Sequence, residues 1–454
     1  MAKAKSVFFC SDCGYESAKW LGKCPSCGAW NTFTEEVRTK KSGQGFTAAG
    51  FSEIDATPRK LSEIEVTATE RRQMPDPELN RVLGGGLVPG SLILIGGEPG
   101  IGKSTLMLQS AVTFSGGPVL YVSGEESADQ VSQRAERLGS SQSGCYILTH
   151  TDPELIVREA KKLKPAFVVI DSVQTLDSAG TDSAPGSVSQ IREGTALIMR
   201  FAKTSNIPVF LIGHITKEGA IAGPKVLEHM VDTVAVFEGD HRHQFRLLRC
   251  TKNRFGSTFE LGIYQMTAAG LTPVANPSDL LSGQQAGGLS GSAAAAVVEG
   301  IRPLIIEVQA LVSSAVYGTP QRSATGFDVR RLHMLLAVLE KRCGFRLASK
   351  DVFVNIAGGL KVNDPSIDMA VTAAILSSSE DIPLPSDTCF AGEVGLSGEI
   401  RPVMRVEQRV AEARKLGFKR IFISSHTPES ETATTGIEVV RVAKVRDMLA
   451  EMFG

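Results

Sequence analysis

Short unbroken apolar runs recur along the first two thirds of the chain. They fall at Leu92-Ile93-Leu94-Ile95, Val119-Leu120-Tyr121-Val122, Ala166-Phe167-Val168-Val169-Ile170, Pro208-Val209-Phe210-Leu211-Ile212 and Thr233-Val234-Ala235-Val236-Phe237. Between them lie stretches with helical spacing, such as residues 130–138 and 153–163. Unbroken runs suit strands buried on both faces, and their alternation with helices predicts a parallel α/β sheet. Two more strands are expected at residues 245–248 and 259–264. The last third repeats the alternation, with strands at 352–356 and 420–424 and helices at 329–341 and 405–416. Two stretches lack any apolar period. Residues 34–60 are rich in Thr, Ser, Gly, Lys and Glu, and residues 276–292 in Asn, Pro, Ser, Gly and Gln, so both read as linkers. The expected units are therefore a small module at 1–33, an α/β core at 61–275 and a second α/β domain at 293–454.

Composition narrows the class. With 454 residues, the chain suits about three domains. A net charge of −1 excludes a generally basic nucleic-acid binder, but not a local basic channel. No apolar run reaches the ~18 residues of a membrane span, and Met1-Ala2-Lys3-Ala4-Lys5-Ser6 has no apolar leader core. Four of the eight cysteines cluster and four are scattered, which is metal-site usage in a reducing compartment. The expectation is a cytoplasmic protein.

Chemistry concentrates in two motifs. Gly97-Glu98-Pro99-Gly100-Ile101-Gly102-Lys103-Ser104 follows a buried run and leads into Thr105-Leu106-Met107-Leu108, the strand–turn–helix context of a phosphate-binding loop. Its glycines let backbone N–H groups close around phosphates. Lys103 is placed for the β- and γ-phosphates of ATP, and the Ser104 hydroxyl for Mg²⁺. Asp171 ends a strand where the Mg²⁺-holding carboxylate is expected, the alternative being a helix cap. The second motif pairs Cys10 and Cys13 with Cys24 and Cys27, each pair followed by glycine, a donor set suited to tetrahedral Zn²⁺. Trp20 and Trp30 belong either to the mini-core of that module or to a contact surface formed with Lys19 and Lys23.

Leu83-Gly84-Gly85-Gly86-Leu87, the phosphate loop and Tyr121-Val122-Ser123-Gly124-Glu125 resemble the RecA/DnaB class of ring and filament ATPases. The resemblance implies that Glu125 activates the attacking water, with Glu126 an open alternative. It makes His214 a γ-phosphate sensor, its alternative a structural histidine. Residues 177–192 and 215–230 become two loops lining a DNA channel, with Arg192, Lys217 and Lys225 as phosphate contacts. Lys252-Asn253-Arg254-Phe255-Gly256 is expected in a turn between two strands. In an extended segment Lys252 and Arg254 point to one side, and two cations suit a terminal phosphate gathering charge. By resemblance to such rings, they act from the neighbouring subunit.

Residues 293–454 resemble the Lon protease domain, with Ser366 after Pro365 near the place of its nucleophile. The position expected for the partner lysine holds Glu407, an acid where an amine base is needed, so a scaffold is expected rather than a protease. The whole-chain combination resembles a family of bacterial DNA-repair ATPases. That implies a hexameric, DnaB-type helicase that drives branch migration on single-stranded and branched DNA, in partnership with RecA recombinase. An ATP-dependent protease and a clock-kinase-type signalling ATPase are the rivals.

Overall fold

The computed structural model describes residues 5–10, 15–26, 28–38, 60, 70–139, 144–178, 187–213, 226–238, 245–274, 278, 288–315, 319–432 and 436–453. The chain divides into two compact units: 1–238 with 247–258 and 266–272, and 239–246 with 259–265 and 273–454.

The first unit opens with a three-stranded antiparallel ribbon. Its strands are β1 (Lys5–Cys10), β2 (Glu16–Ser17) and β3 (Phe33–Arg38), in the order β2-β1-β3. The linker expected from residue 34 therefore starts later, because Phe33 to Arg38 pair residue by residue with Cys10 to Lys5.

The core of this unit begins with α1 (Pro77–Val82), β4 (Leu92–Gly96), α2 (Lys103–Thr113), β5 (Val119–Ser123) and α3 (Ala128–Arg137). It continues through β6 (Cys145–Leu148), α4 (Pro153–Leu163), β7 (Phe167–Asp171), α5 (Val188–Ser205), β8 (Val209–Ile212), α6 (Val226–Met230) and β9 (Thr233–Glu238). The strands β9-β4-β8-β7-β5-β6 are parallel, as their unbroken apolar runs require. β10 (Phe245–Asn253) is antiparallel to β9, and β11 (Leu261–Thr267) and β12 (Gly270–Pro273) extend that edge of the sheet. Local signals set the helix ends. Asp152 caps α4 with Pro153 in its first turn, and Ser127 with Gln130 closes a capping box on α3.

The second unit carries β13 (Ser292–Glu299), β14 (Arg302–Ser314), β15 (Arg322–Thr325), α7 (Val329–Val338), β16 (Lys350–Ile356), α8 (Asp368–Glu380) and β17 (Thr388–Ala391). After these come β18 (Glu393–Val394), β19 (Ile400–Arg401), α9 (Val406–Lys415), β20 (Arg420–Ser424), β21 (Glu438–Val442) and α10 (Val445–Phe453). Its mixed sheet runs β15-β16-β14-β13-β17-β20-β21. α8 is buried at every position from Asp368 to Ser377, so it is an internal helix of this unit and not an amphipathic surface one.

Candidate nucleotide, metal and serine sites

The C-terminal ends of β4, β5 and β7 bring together the residues singled out from the sequence. Gly97, Gly100 and Gly102 adopt positive φ (154°, 74° and 119°). At Gly97 a Cβ would sit 2.9 Å from that of Phe237, so only glycine lets the loop turn there. Lys103, only 3% exposed, donates from Nζ to the carbonyls of Gly97 and Glu98, each at 2.8 Å. Burial pulls its ammonium down to about 8, against the opposing charges of Asp171, Glu125 and Glu98. A buried cation ringed by loop carbonyls and carboxylates is chemically fitted to polyphosphate.

Asp171 ends β7 opposite Ser123 of β5 and accepts a 2.6 Å hydrogen bond from Tyr121 on Oδ2. It does not cap a helix, so the cap alternative falls. Ser104 lies in the first turn of α2, half-buried. A hydroxyl and a carboxylate form a hard-oxygen set that fits Mg²⁺, which retains much of its water. The two adjacent glutamates part company here. Glu126 takes Arg134 Nη1 on both oxygens, at 2.8 and 2.7 Å. Glu125 is exposed, accepts from the Ser172 hydroxyl at 2.8 Å, and is one of the charges felt by Lys103.

The remaining sequence-selected groups are less concentrated. Arg192 is not in a loop, because Ser187 caps α5 and puts Arg192, exposed, in its first turns. His214, Lys217 and Lys225 lie outside the described residues. Lys252 and Asn253 belong to β10, so the expected turn begins later, at Arg254. Lys252 donates to the carbonyls of Glu228, at 2.5 Å, and Val231, at 2.8 Å, at the C-terminal end of α6. Arg254 is the exposed cation of the pair, with Nη1 3.5 Å from the buried Asp232. The rest of the motif docks on the triple-glycine turn. Asn253 donates to the Leu83 carbonyl at 3.3 Å, Arg71 joins that carbonyl to Phe255, and Gly256 lies within 3.4 Å of a Cβ built on Gly84.

In the ribbon, Cys10 and Cys24 are buried in one cluster with Phe33. Cys13 and Cys27 lie outside the described residues. Gly28, at φ 76°, donates its N–H back to the Cys24 carbonyl at 2.9 Å, the tight turn that a thiolate pair around one ion needs. The two thiols brought together here fit a four-sulfur metal site. Trp20 and Trp30 are 53% and 67% exposed, which rules out a purely internal role. Lys23 lies over the Trp30 ring at 5.4 Å.

In the second unit the sequence alignment is corrected. Glu407 points to solvent from α9 and meets no part of Ser366. The residue beside Ser366 is Arg409, whose Nη1 donates to Ser366 Oγ and to the Ala296 carbonyl, both at 2.7 Å. Two helical positions are about 200° of rotation, so Glu407 and Arg409 face opposite ways. The structure puts Arg409, and not Glu407, where the partner base of Ser366 was expected. A guanidinium stays protonated and cannot act as the base, and here it is paired with Asp364 at 2.8 Å. Arg409→Ala is expected to destabilise this unit by about 3 kcal/mol, because it leaves the largely covered Asp364 without its charge partner and Ser366 Oγ and the Ala296 carbonyl without their donor. Ser366→Ala should change no enzymatic property. Denaturant unfolding and an ATP-dependent peptidase assay check the two; peptide cleavage lost in Ser366→Ala would overturn the scaffold reading.

Comparison with known proteins gives three segmental matches. Residues 8–35 match the rubredoxin metal binding domain, residues 57–220 an AAA domain, and residues 307–427 the subunit ChlI of Mg-chelatase. Full-length relatives are also found. DNA repair protein RadA of Bacillus subtilis (strain 168) is 50% identical over 100% of both chains. That of Listeria monocytogenes serovar 1/2a is 50% identical over 99% of each, and that of Streptococcus pyogenes serotype M1 48% over 100%. Among solved structures, the RadB recombinase overlaps 44% of this chain and 97% of its own at 24% identity, with a TM-score of 0.36. A KaiC-like protein of Pyrococcus horikoshii OT3 covers 45% of this chain and 99% of its own at 18% identity, with a TM-score of 0.38.

Proposed function

Because the chain belongs to the RadA family of DNA repair proteins, we propose that it is an ATP-hydrolysing DNA motor of homologous recombination and repair. In this reading it works as a hexameric, DnaB-type helicase ring. It promotes branch migration on single-stranded and branched DNA, beside RecA recombinase, in the cytoplasm. The observation that carries the proposal is the convergence of Lys103, Ser104, Glu125 and Asp171 on one sheet edge of a chain matched end to end by this family.

In the proposed mechanism the phosphate-loop N–H groups and Lys103 hold the β- and γ-phosphates. Ser104 and Asp171 are the groups for Mg²⁺, which when bound neutralises charge on the transferred phosphoryl group. Glu125, its carboxylate beside Lys103, orients and deprotonates the attacking water. Glu126 is committed to Arg134 and is not assigned that role. Lys252 and Arg254 supply charge from the neighbouring subunit. Arg192, Lys217 and Lys225 face DNA, and His214 couples the γ-phosphate to them.

The test is the ATPase rate with and without single-stranded DNA. Stimulation by DNA, abolished in Glu125→Gln, is expected; a rate indifferent to DNA would sink the motor reading and favour a signalling ATPase. The ribbon is assigned Zn²⁺ through Cys10, Cys13, Cys24 and Cys27. Cys24→Ala should lose one equivalent of zinc and unfold the ribbon, while the ATPase core stays assembled. Elemental analysis that found no zinc in the purified wild type would remove this assignment.

A further inference from the structure

One half-buried arginine ties together groups that the proposed mechanism uses separately. Tyr121 is fully buried in β5, and its hydroxyl donates to Asp171 Oδ2 at 2.6 Å. Arg134, on α3, donates from Nη2 to that hydroxyl oxygen at 3.3 Å and lies 4.0 Å from the same carboxylate oxygen. Nη2 also reaches the Ser104 carbonyl, at 3.5 Å. Nη1 takes both oxygens of Glu126. One guanidinium thus joins the first turn of α2, the ends of β5 and β7, and the acidic turn after β5.

The arrangement is aimed rather than merely packed. Arg134 Nε is buried without a hydrogen-bond partner. The side chain therefore strands one donor while its two terminal nitrogens are directed at the nucleotide-site groups. The Tyr121 hydroxyl is held as a donor, because the partner it meets at 2.6 Å is a carboxylate oxygen, which accepts. Among the described residues, Asp171 Oδ1 accepts no hydrogen bond, which leaves that oxygen for a metal's water shell.

We propose that Tyr121 and Arg134 are positioning residues of the nucleotide site. Tyr121 fixes the orientation of Asp171 toward Mg²⁺, and Arg134 holds Glu126 aside so that Glu125 alone faces the reacting phosphate. The inference rests on the reading of Asp171 as the Mg²⁺ carboxylate. Outer partners of a metal-holding carboxylate typically contribute about 10–100-fold in metal affinity or activity.

The test uses the full chain with Tyr121→Phe, an isosteric change that removes only the hydroxyl, and Arg134→Lys, which keeps the charge but loses the fork. Mg²⁺ is titrated against the fluorescence of bound N-methylanthraniloyl-ADP, a readout independent of turnover, and against steady-state ATPase rate. Tyr121→Phe should raise the half-saturating Mg²⁺ concentration about 10-fold, with kcat largely recovered at saturating Mg²⁺. Arg134→Lys should lower kcat even at saturating Mg²⁺, because Glu126 is released. Melting temperatures in EDTA should stay near wild type for Tyr121→Phe. Asp171→Asn separates the two readings. If it leaves the Mg²⁺ dependence unchanged, the Mg²⁺ assignment itself fails. If it shifts that dependence while Tyr121→Phe does not, or if Tyr121→Phe only lowers the melting temperature in EDTA, the relay is structural and the proposal is overturned.

Discussion

Lys103→Ala is expected to stop ATP hydrolysis while leaving the protein folded. The lysine sits 3% exposed among loop carbonyls, and its ammonium is under strain from burial, held at about 8. Removing it takes away a buried charge and little apolar contact, so the α/β core should survive. The chemistry should not. Negative charge gathers on the transferred phosphoryl group in the transition state, and in the proposed mechanism Lys103 is the cation that meets it. Losing one preorganised donor at such a centre typically costs about 10²–10³ in kcat, and a charged donor belongs at the upper end. Phosphate release under saturating Mg·ATP measures the loss, and circular dichroism with thermal melting shows that the fold is intact. Turnover close to wild type would remove the basis of the ATPase mechanism proposed above.

Arg254→Ala should be comparably severe for a different reason. Among the two cations of the Lys252-Asn253-Arg254-Phe255-Gly256 stretch, Lys252 is committed to the carbonyls at the end of α6. Arg254 is 56% exposed and has one distant ion pair, 3.5 Å from Asp232. Asp232 retains Lys203, at 2.5 Å, and the Leu92 N–H, at 2.9 Å, when Arg254 is removed. Arg254 is the exposed partner of a long ion pair, worth about 0–1 kcal/mol, and the buried Asp232 keeps its other partners, so Arg254→Ala should fold normally and any catalytic defect can be read directly. A finger supplied by a neighbouring subunit accelerates phosphoryl transfer by roughly 10³–10⁵. The expected result is turnover reduced on that scale, with fluorescent-nucleotide binding largely retained. Mixing Arg254→Ala with Lys103→Ala should recover activity at composite sites if the finger acts in trans. No recovery at any ratio, in rings confirmed to be mixed, would count against that arrangement. Normal DNA-stimulated turnover in Arg254→Ala alone would sink the finger. Lys252→Ala is a poorer probe, because it also unties the end of α6.

Much of this protein is written locally. The phosphate loop, the parallel strands and a helix such as α4 depend on neighbours a few positions away. Glycines needing positive φ, unbroken apolar runs and an Asp-Pro start are all visible in the chain itself. The same holds for the paired cysteines, whose spacing already implies one ion. The order strand, loop and helix also places Lys103 and Ser104 at the start of α2, where the sequence expected them.

Only the tertiary structure decided how distant positions meet. By resemblance the sequence favoured Glu125 and kept Glu126 as an alternative; the structure adds that Arg134, on the following helix, pairs with Glu126, while the Glu125 charge acts on Lys103. Tyr121 read as one more apolar strand residue, since nothing local reveals that its hydroxyl meets a carboxylate 50 positions away. Arg192, expected in a loop, lies on α5 because the cap at Ser187 starts the helix before it. Around Ser366 a slip of two residues selected Glu407, although the side chain opposite Ser366 is Arg409, 43 positions on. Sequence spacing fixes which face of a helix a residue occupies only once the register is known, and that register is set by what the opposite face buries. Here Arg409 is the residue carried inward, toward Asp364 and Ala296, and Glu407 is the one left in water.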